Sequence, residues 1–520
     1  MVVSGKGVDL DDVLINFRLF GRYHFLNILL TFIAGFSNAL YCYNYIFVAE
    51  EVSYSCKYAN TTIGNETCSQ MDGEYTCSEW EYNEPHSFVA EFNLACQEWK
   101  RTLVGSAHSF GYMIGLLIVG PLSDRIGRKA TIVLTGVMGG VLGLARSFVT
   151  WYWLYIALEF LESAIGDIYS PAYMMAVEIV ATKKRIMFVL FFSFGFPIGS
   201  MILALVGWGF PYWRTYLRVL YTPGLLFIVY WYLLQESPRW LLSKGKTAEA
   251  SAVLKKACKM NKMEIDDNTL EKLTYEDDTA TVNLIELLKI TFSSPTILKR
   301  FLICVIWWVT STFVNYGMTI NSVTLQGNKY VNYAILGLLD IPGLVMIMYI
   351  MSHLKRKFSL IMCFFLGAAF CLIQPFVPSN LPWLSVTLFM IGKVISNFYF
   401  EITYMYTSEL FPTYTRNSMH ALCSSLGRIG SIIAPQTPLL MAYWTGLPAI
   451  VYGSMALLAG ILTIFVPDTA GNALPDTVAQ AEALGRKATE AEKDLEIKEL
   501  DNPKVNETDI VQRVSESTRV

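Results

Sequence analysis

The chain has 520 residues, of which 53% are hydrophobic and 16% charged, with a mean hydropathy of +0.40. So few charges cannot coat a soluble globule of this size, which leaves a polytopic membrane protein. A net charge of −3 rules against the concentrated basic face of a nucleic-acid binder, and five histidines without a cysteine–histidine cluster offer no zinc or haem site.

Met1 to Phe20 is polar and carries Asp9, Asp11 and Asp12 where a signal peptide would have its apolar core, so the first apolar span is expected to direct insertion. A long polar loop, 48–100, holds Cys56, Cys68, Cys77 and Cys96, which allow two disulfides in three connectivities. It also holds the sequons Asn60-Thr-Thr and Asn65-Glu-Thr; cysteines and glycosylation sites together point to an extracellular loop.

Apolar runs long enough to cross a hydrocarbon core of roughly 30 Å fall near 23–47, 102–121, 130–148, 151–177, 186–208, 215–235, 299–322, 331–351, 358–377, 382–407, 419–441 and 447–466. The expectation is an all-α protein of twelve transmembrane helices, with the fourth span interrupted by Glu159, Glu162 and Asp167. Arg125, Arg128, Lys129, Lys183 to Arg185, the segment 239–300 and Lys355 to Lys357 then share one side, which the positive-inside rule makes cytoplasmic together with both termini.

The polar stretch 236–298, helical in pattern over Lys246–Lys259, divides the spans into two halves of six, 23–235 and 299–466, and 467–520 forms a tail. The halves repeat. Glu178-Ile-Val-Ala-Thr-Lys-Lys-Arg185 closes span 4 and Glu409-Leu-Phe-Pro-Thr-Tyr-Thr-Arg416 closes span 10, both reading E-x-x-x-T-x-x-R. Asp124 to Lys129 after span 2 corresponds to Ser352 to Lys357 after span 8, the second copy lacking the acid and the glycine. A duplicated pair of six-helix halves suits transporters that rock about a midplane site.

Gly120-Pro-Leu-Ser-Asp124-Arg125-Ile-Gly127-Arg128-Lys129 resembles the G-x-x-x-D-R-x-G-R-K signature of the major facilitator superfamily. Glu91 to Cys96, Gln235-Glu-Ser-Pro-Arg-Trp-Leu-Leu242, Ser408 to Thr413 with Arg416-Asn417, Pro467-Asp-Thr and Leu474 to Thr477 extend the likeness to solute carrier family 22, the organic cation, carnitine and organic anion carriers. The resemblance implies the major facilitator fold. It also implies an ionic latch at the cytoplasmic gate, formed by Glu178, Arg185, Glu236, Arg239, Glu409 and Arg416, with Asp124, Arg125 and Arg128 in the signature turn.

Substrate chemistry is expected deeper, because an ionisable group near a bilayer centre costs roughly 2.5–3.5 kcal/mol and is kept for function. Glu401 lies roughly 12 Å from the inner surface and Arg428 roughly 16 Å, at about 1.5 Å per helical residue. The resemblance sets Glu401 at a cation carrier's glutamate position and Arg428 where anion and carnitine carriers have arginine. Either the two receive the ammonium and carboxylate of a zwitterion or bifunctional amine, or they neutralise each other as a structural pair, or Glu401 handles a proton or counter-ion. The resemblance also puts Trp308, Asn315, Asp340 and Tyr169 on the cavity side, beside Phe400. Lys393 is open to pairing with Glu401, to pairing with a span 4 acid, or to snorkelling.

Gly245-Lys246-Thr247 matches the end of a P-loop, but Trp240 replaces its first glycine, which argues against an ATP-driven pump. Thr518-Arg519-Val520 fits a PDZ ligand. The expectation is therefore a secondary carrier, not an enzyme and without cofactors, moving small organic cations or zwitterions across the plasma membrane by alternating access. An organic anion exchanger and a transport-inactive receptor or scaffold are the alternatives.

Overall fold

The computed structural model describes residues 8–17, 21–58, 61–63, 79–263, 273–274, 294–378, 380–412, 415–469, 475 and 478–483. Asn60, Asn65, Cys68, Cys77, Thr413 and Thr518–Val520 lie outside them. Eight stretches are long and apolar enough to cross a membrane: span 1 (Arg22–Val48), span 2 (Glu98–Ile126), span 3 (Arg128–Arg146), span 5 (Met187–Gly209), span 7 (Pro295–Thr324), span 8 (Lys329–His353), span 9 (Arg356–Phe376) and span 10 (Pro382–Glu409).

The other four spans are broken or short, each for a local reason. Span 4 is two helices, Tyr152–Ile165 and Tyr169–Glu178. At the break Asp167 turns its carboxylate onto the second helix, accepting from the Tyr169 amide at 3.1 Å and the Ser170 hydroxyl at 2.5 Å, an N-terminal cap. Span 6 runs from Trp213–Tyr221 into a 3₁₀ stretch, Thr222–Val229, that begins at Pro223. Span 11, Arg416–Ile433, likewise tightens into Ala434–Ala442 around Pro435 and Pro438, whose missing N–H groups cannot continue an α ladder. Span 12, Leu447–Thr463, is apolar but short.

The acids of span 4 are accounted for inside the first half. Glu159 and Glu162 are both buried and face the guanidinium of Arg146, at the end of span 3, which is itself wholly buried. His108 of span 2 meets Glu159 at 2.9 Å. The acids of span 4 therefore find their basic neighbours on spans 2 and 3, and Lys393 has no part in this.

One face of the bundle, here the loop side, carries segment 49–97. There Tyr54–Tyr58 pairs antiparallel with both Thr61–Ile63 and Glu79–Tyr82, and Cys56 and Cys96 each take part in a disulfide. The opposite, linker side carries the turn at Gly127, whose φ of +100° places it where L side chains are strained. A side chain at Gly127 would also meet the Glu236 carboxylate and Trp240.

On the linker side the repeated motifs form equivalent ion pairs. In the first half Arg128 binds Glu178 at 2.9 Å and Asp124 at 2.6 Å. In the second half Arg356, the counterpart of Arg128, binds Glu409, the counterpart of Glu178, at 3.2 Å. Glu236 accepts from the Arg128 and Lys129 amides at 3.0 and 3.2 Å, which cap span 3; burial pushes its pKa up against those hydrogen bonds. Arg239 reaches Asp11 and the Glu178 and Val180 carbonyls, tying the short helix Leu10–Leu14 to Pro238–Ser243. Arg185 and Arg416 are half-buried at the starts of spans 5 and 11, and Arg125 is exposed. The predicted latch residues thus gather on one side, but the bonds run from Glu178 and Glu409 to the signature-turn arginines within each half.

The two pairs differ in burial: side-chain exposure is 8% and 11% for Arg128 and Glu178, against 20% and 15% for Arg356 and Glu409. Arg128→Ala should therefore cost about 3 kcal/mol by stranding Glu178, and Arg356→Ala about 1 kcal/mol. Thermal unfolding in detergent checks the order, and Arg128→Ala/Glu178→Ala should recover more than half of the larger loss.

Candidate functional site

Between the halves lies a cavity of about 220 Å³, walled by spans 1, 4 and 5 on one side and spans 7, 8 and 10 on the other. Span 10 supplies its polar floor through one helical stripe. Lys393, Asn397 and Glu401 recur every four residues, the spacing that puts side chains on one face of a helix.

Lys393 is 4% exposed and donates to Asn315 Oδ1 at 3.1 Å and Asn397 Oδ1 at 2.7 Å. The Asn397 amide nitrogen in turn donates to Asp340 of span 8. A cation and an anion are therefore joined through a neutral amide rather than directly, and Asn315 closes the network by donating to Asn397. Lys393 pairs with neither Glu401 nor a span 4 acid, and it does not snorkel.

Glu401 is different. Its side chain is exposed on the cavity wall, and among the described residues it has neither a hydrogen bond nor an ion pair. Its surroundings are aromatic: it is within electrostatic range of Tyr169 and Tyr173 of span 4 and of Tyr404 on its own helix. Tyr169 and Tyr173 stack at 6.3 Å, and Tyr169 also packs on Phe192 at 5.0 Å.

Span 11 brings Arg428 to the edge of this cavity by pressing against span 7. A side chain at Gly427 would strike Trp308 at 2.7 Å, so only glycine permits the approach. The Thr312 hydroxyl fixes it by donating to the Gly427 carbonyl at 2.6 Å. One turn further on, Tyr316 accepts from Arg428 at 3.1 Å, and the guanidinium lies 4.9 Å from the Tyr112 ring centre of span 2. Among the described residues no carboxylate lies within 4.0 Å of Arg428, so Glu401 and Arg428 are not joined as an ion pair.

Tyr169, Asn315, Asp340, Phe400 and Glu401 all line the cavity. Arg428 reaches it only through Tyr316, and Trp308 does not line it. Trp308 is 1% exposed, donates its indole N–H to Thr407 at 3.1 Å and packs on Phe400, Tyr404 and His420 at 5.9, 5.8 and 5.3 Å. It supports the wall from behind. Asn397, Tyr316, Tyr43 and Tyr333 are lining residues that the sequence reading did not name.

Above the cavity the halves close on the loop side. Thr102 of span 2 donates to Gln436 at 2.8 Å, Ser106 donates to the Ile432 carbonyl at 2.8 Å, and Lys329 binds Glu50 at 2.6 Å. Gly105 lets Pro435 approach, since a Cβ there would stand 2.8 Å from it. Tyr43 and Tyr316 meet beneath, with ring centres 5.7 Å apart.

Spans in two halves about a charged cavity, together with the likenesses that follow, define a secondary transporter of the major facilitator superfamily. The chain belongs to the sugar (and other) transporter family, whose model matches residues 30–478, and within it to solute carrier family 22. It is 32% identical over 425 residues to solute carrier family 22 member 21 of Mus musculus, covering 79% of this chain and 74% of the relative. To organic cation/carnitine transporter 2 of Homo sapiens it is 30% identical, with 83% and 80% covered, and to the organic cation transporter protein of Drosophila melanogaster 31%, with 84% and 81% covered. Among solved structures, the inward-open xylose transporter XylE of E. coli shares the fold at a TM-score of 0.59 and 17% identity, covering 88% of this chain and all of that one.

Asn397→Leu should destabilise the protein by about 3 kcal/mol, since it leaves the buried Lys393 and the half-buried Asp340 without their bridge. The triple variant with Lys393→Met and Asp340→Asn should recover most of that loss. Thermal unfolding of the purified variants measures both.

Proposed function

We propose that this carrier moves small organic cations or zwitterions across the plasma membrane by alternating access. The single observation behind this reading is Glu401: a carboxylate without a protein partner, exposed on the wall of a midplane cavity and faced by tyrosines. A charge left unpartnered at that depth has a role when a cationic substrate completes it. Aromatic faces add about 0.5–2 kcal/mol each toward an organic ammonium. Arg428, turned from Glu401 and held by Tyr316, would receive the carboxylate of a zwitterion at the far end of the site. The relatives named for organic cations and carnitine support this choice over an anion exchanger.

The sealed loop side and the exposed Glu401 beneath it correspond to the inward-facing state if the loop side is extracellular. That orientation, with both termini cytoplasmic, follows from the basic clusters on the linker side. Glycans on Asn60 and Asn65, disulfides that include Cys68 and Cys77, and a PDZ partner at Thr518–Val520 complete the proposal.

Uptake into vesicles of a quaternary amine and of carnitine separates the roles. Glu401→Gln should lower uptake of both by at least about tenfold, the equivalent of one 1.4 kcal/mol contact. Arg428→Ala should lower only the zwitterion's. If both variants transport both compounds at the wild-type rate, the cavity assignment is wrong.

A further inference from the structure

The buried cluster at spans 2, 3 and 4 takes no part in holding substrate, yet its charges do not balance. Glu159 and Glu162 are 0% and 1% exposed, and the one fixed positive charge beside them is Arg146. Two carboxylates against one guanidinium leave a net negative charge in a medium that penalises it heavily. His108 supplies the remaining nitrogen, its Nδ1 standing 2.9 Å from Glu159 Oε1 and 3.9 Å from Glu162 Oε2.

A second observation points to the same place. Glu162 Oε2 is buried without a hydrogen-bond partner, and the nitrogens nearest it are His108 Nδ1 and Arg146 Nη2, the latter at 3.7 Å. Arg146 is already engaged, since Nη2 donates to the Tyr221 hydroxyl at 2.5 Å and the guanidinium lies 5.1 Å from the Tyr221 ring centre. The groups packed directly around the cluster carry no fixed charge: Tyr41, Cys42 and Tyr45 of span 1, Tyr155 of span 4 and Tyr221 of span 6; beyond them, Arg428 and Asp167 act on Cys42 and Arg214 acts on Tyr155. The missing positive charge is therefore a proton. The guanidinium standing against both carboxylates would repel a metal ion.

We infer that His108, Glu159, Glu162 and Arg146 form a binding site for one proton, shared between the imidazole and Glu162, and that occupancy of this site favours the sealed loop side. The link to the seal is span 2. His108 packs on Tyr45 at 5.5 Å, and Tyr45 lies against Gly105, which together with Ser106 and Thr102 carries the contacts to Pro435, Ile432 and Gln436. With the proton bound the cluster is neutral and the first half can pack tightly beneath the seal. Without it a net charge sits directly under the closed contact. The carrier should accordingly take up its proton while open to the loop side and close on it.

This inference rests on the transport reading for its functional consequence, but the site itself does not, and the test separates the two. A quaternary amine is the probe, because its charge is independent of pH. Wild-type uptake should rise as the loop-side medium goes from about pH 8 to about pH 6, by up to about tenfold per pH unit for a single proton. Glu162→Gln, which needs no proton for neutrality, should be flat across that range and near the acid rate of the wild type. In parallel, the folded state of the wild type holds a proton that the unfolded chain lacks, so thermal stability should fall as pH rises, with a slope that Glu162→Gln removes. Equal pH slopes for wild type and Glu162→Gln, in uptake or in unfolding, overturn the proton site. No uptake by the wild type at any pH, with the unfolding slope still lost in Glu162→Gln, upholds the site and overturns the transport reading. If Glu162→Gln does not fold, His108→Asn replaces it and should displace the midpoint of the unfolding profile by more than about one pH unit; an unmoved midpoint overturns the site.

Discussion

A charge inside a bilayer needs compensation, and the interior of this protein is arranged around that requirement. Arg146 answers Glu159 and Glu162 in the first half, and Lys393 answers Asp340 through Asn397 in the second. At the linker side Arg128 and Arg356 answer Glu178 and Glu409. Against this pattern Glu401 stands out by having no partner among the described residues, and of the two carboxylates that line the cavity, Asp340 and Glu401, it is the one left unbridged.

The separation of Glu401 from Arg428 follows from packing more than from electrostatics. Gly427 and Gly430 let span 11 lie against span 7, where Trp308 and Thr312 occupy the space a larger side chain would fill. That contact turns Arg428 toward Tyr316 and Tyr112, away from span 10. Trp308 thereby supports the cavity from behind, and the aromatic surface that lines it comes from both halves, Tyr43 and Tyr169 on one side and Tyr316, Tyr333 and Phe400 on the other.

Much of the fold was legible because hydropathy and basic clusters mark spans directly, and because the repeated E-x-x-x-T-x-x-R segments expose the duplication. Glu401 was legible for the same reason, as an acid in apolar sequence, whereas Asp340 was marked by the family resemblance. Asn397 was not, since a neutral amide gives no such signal; only its position midway between Lys393 and Glu401 marks it. The partners of the span 4 acids were hidden too. Arg146 stands at a helix end, where an arginine reads as interfacial, and His108 is a lone histidine in a span. Which arginine each gate glutamate takes depends on how the signature turn folds back, and spacing along the chain carries no information about that.

The break in span 4 at Asp167 divides that span mechanically. Its upper piece is bolted to span 3 through Arg146, and its lower piece carries Tyr169 to the cavity wall with Tyr173 stacked behind it. The capped joint between them separates the two pieces, so that the tyrosine wall and the ion-paired anchor are held by different helices of one span. A wall of the cavity and the anchoring of the half that carries it thus reside in one span as separate working parts.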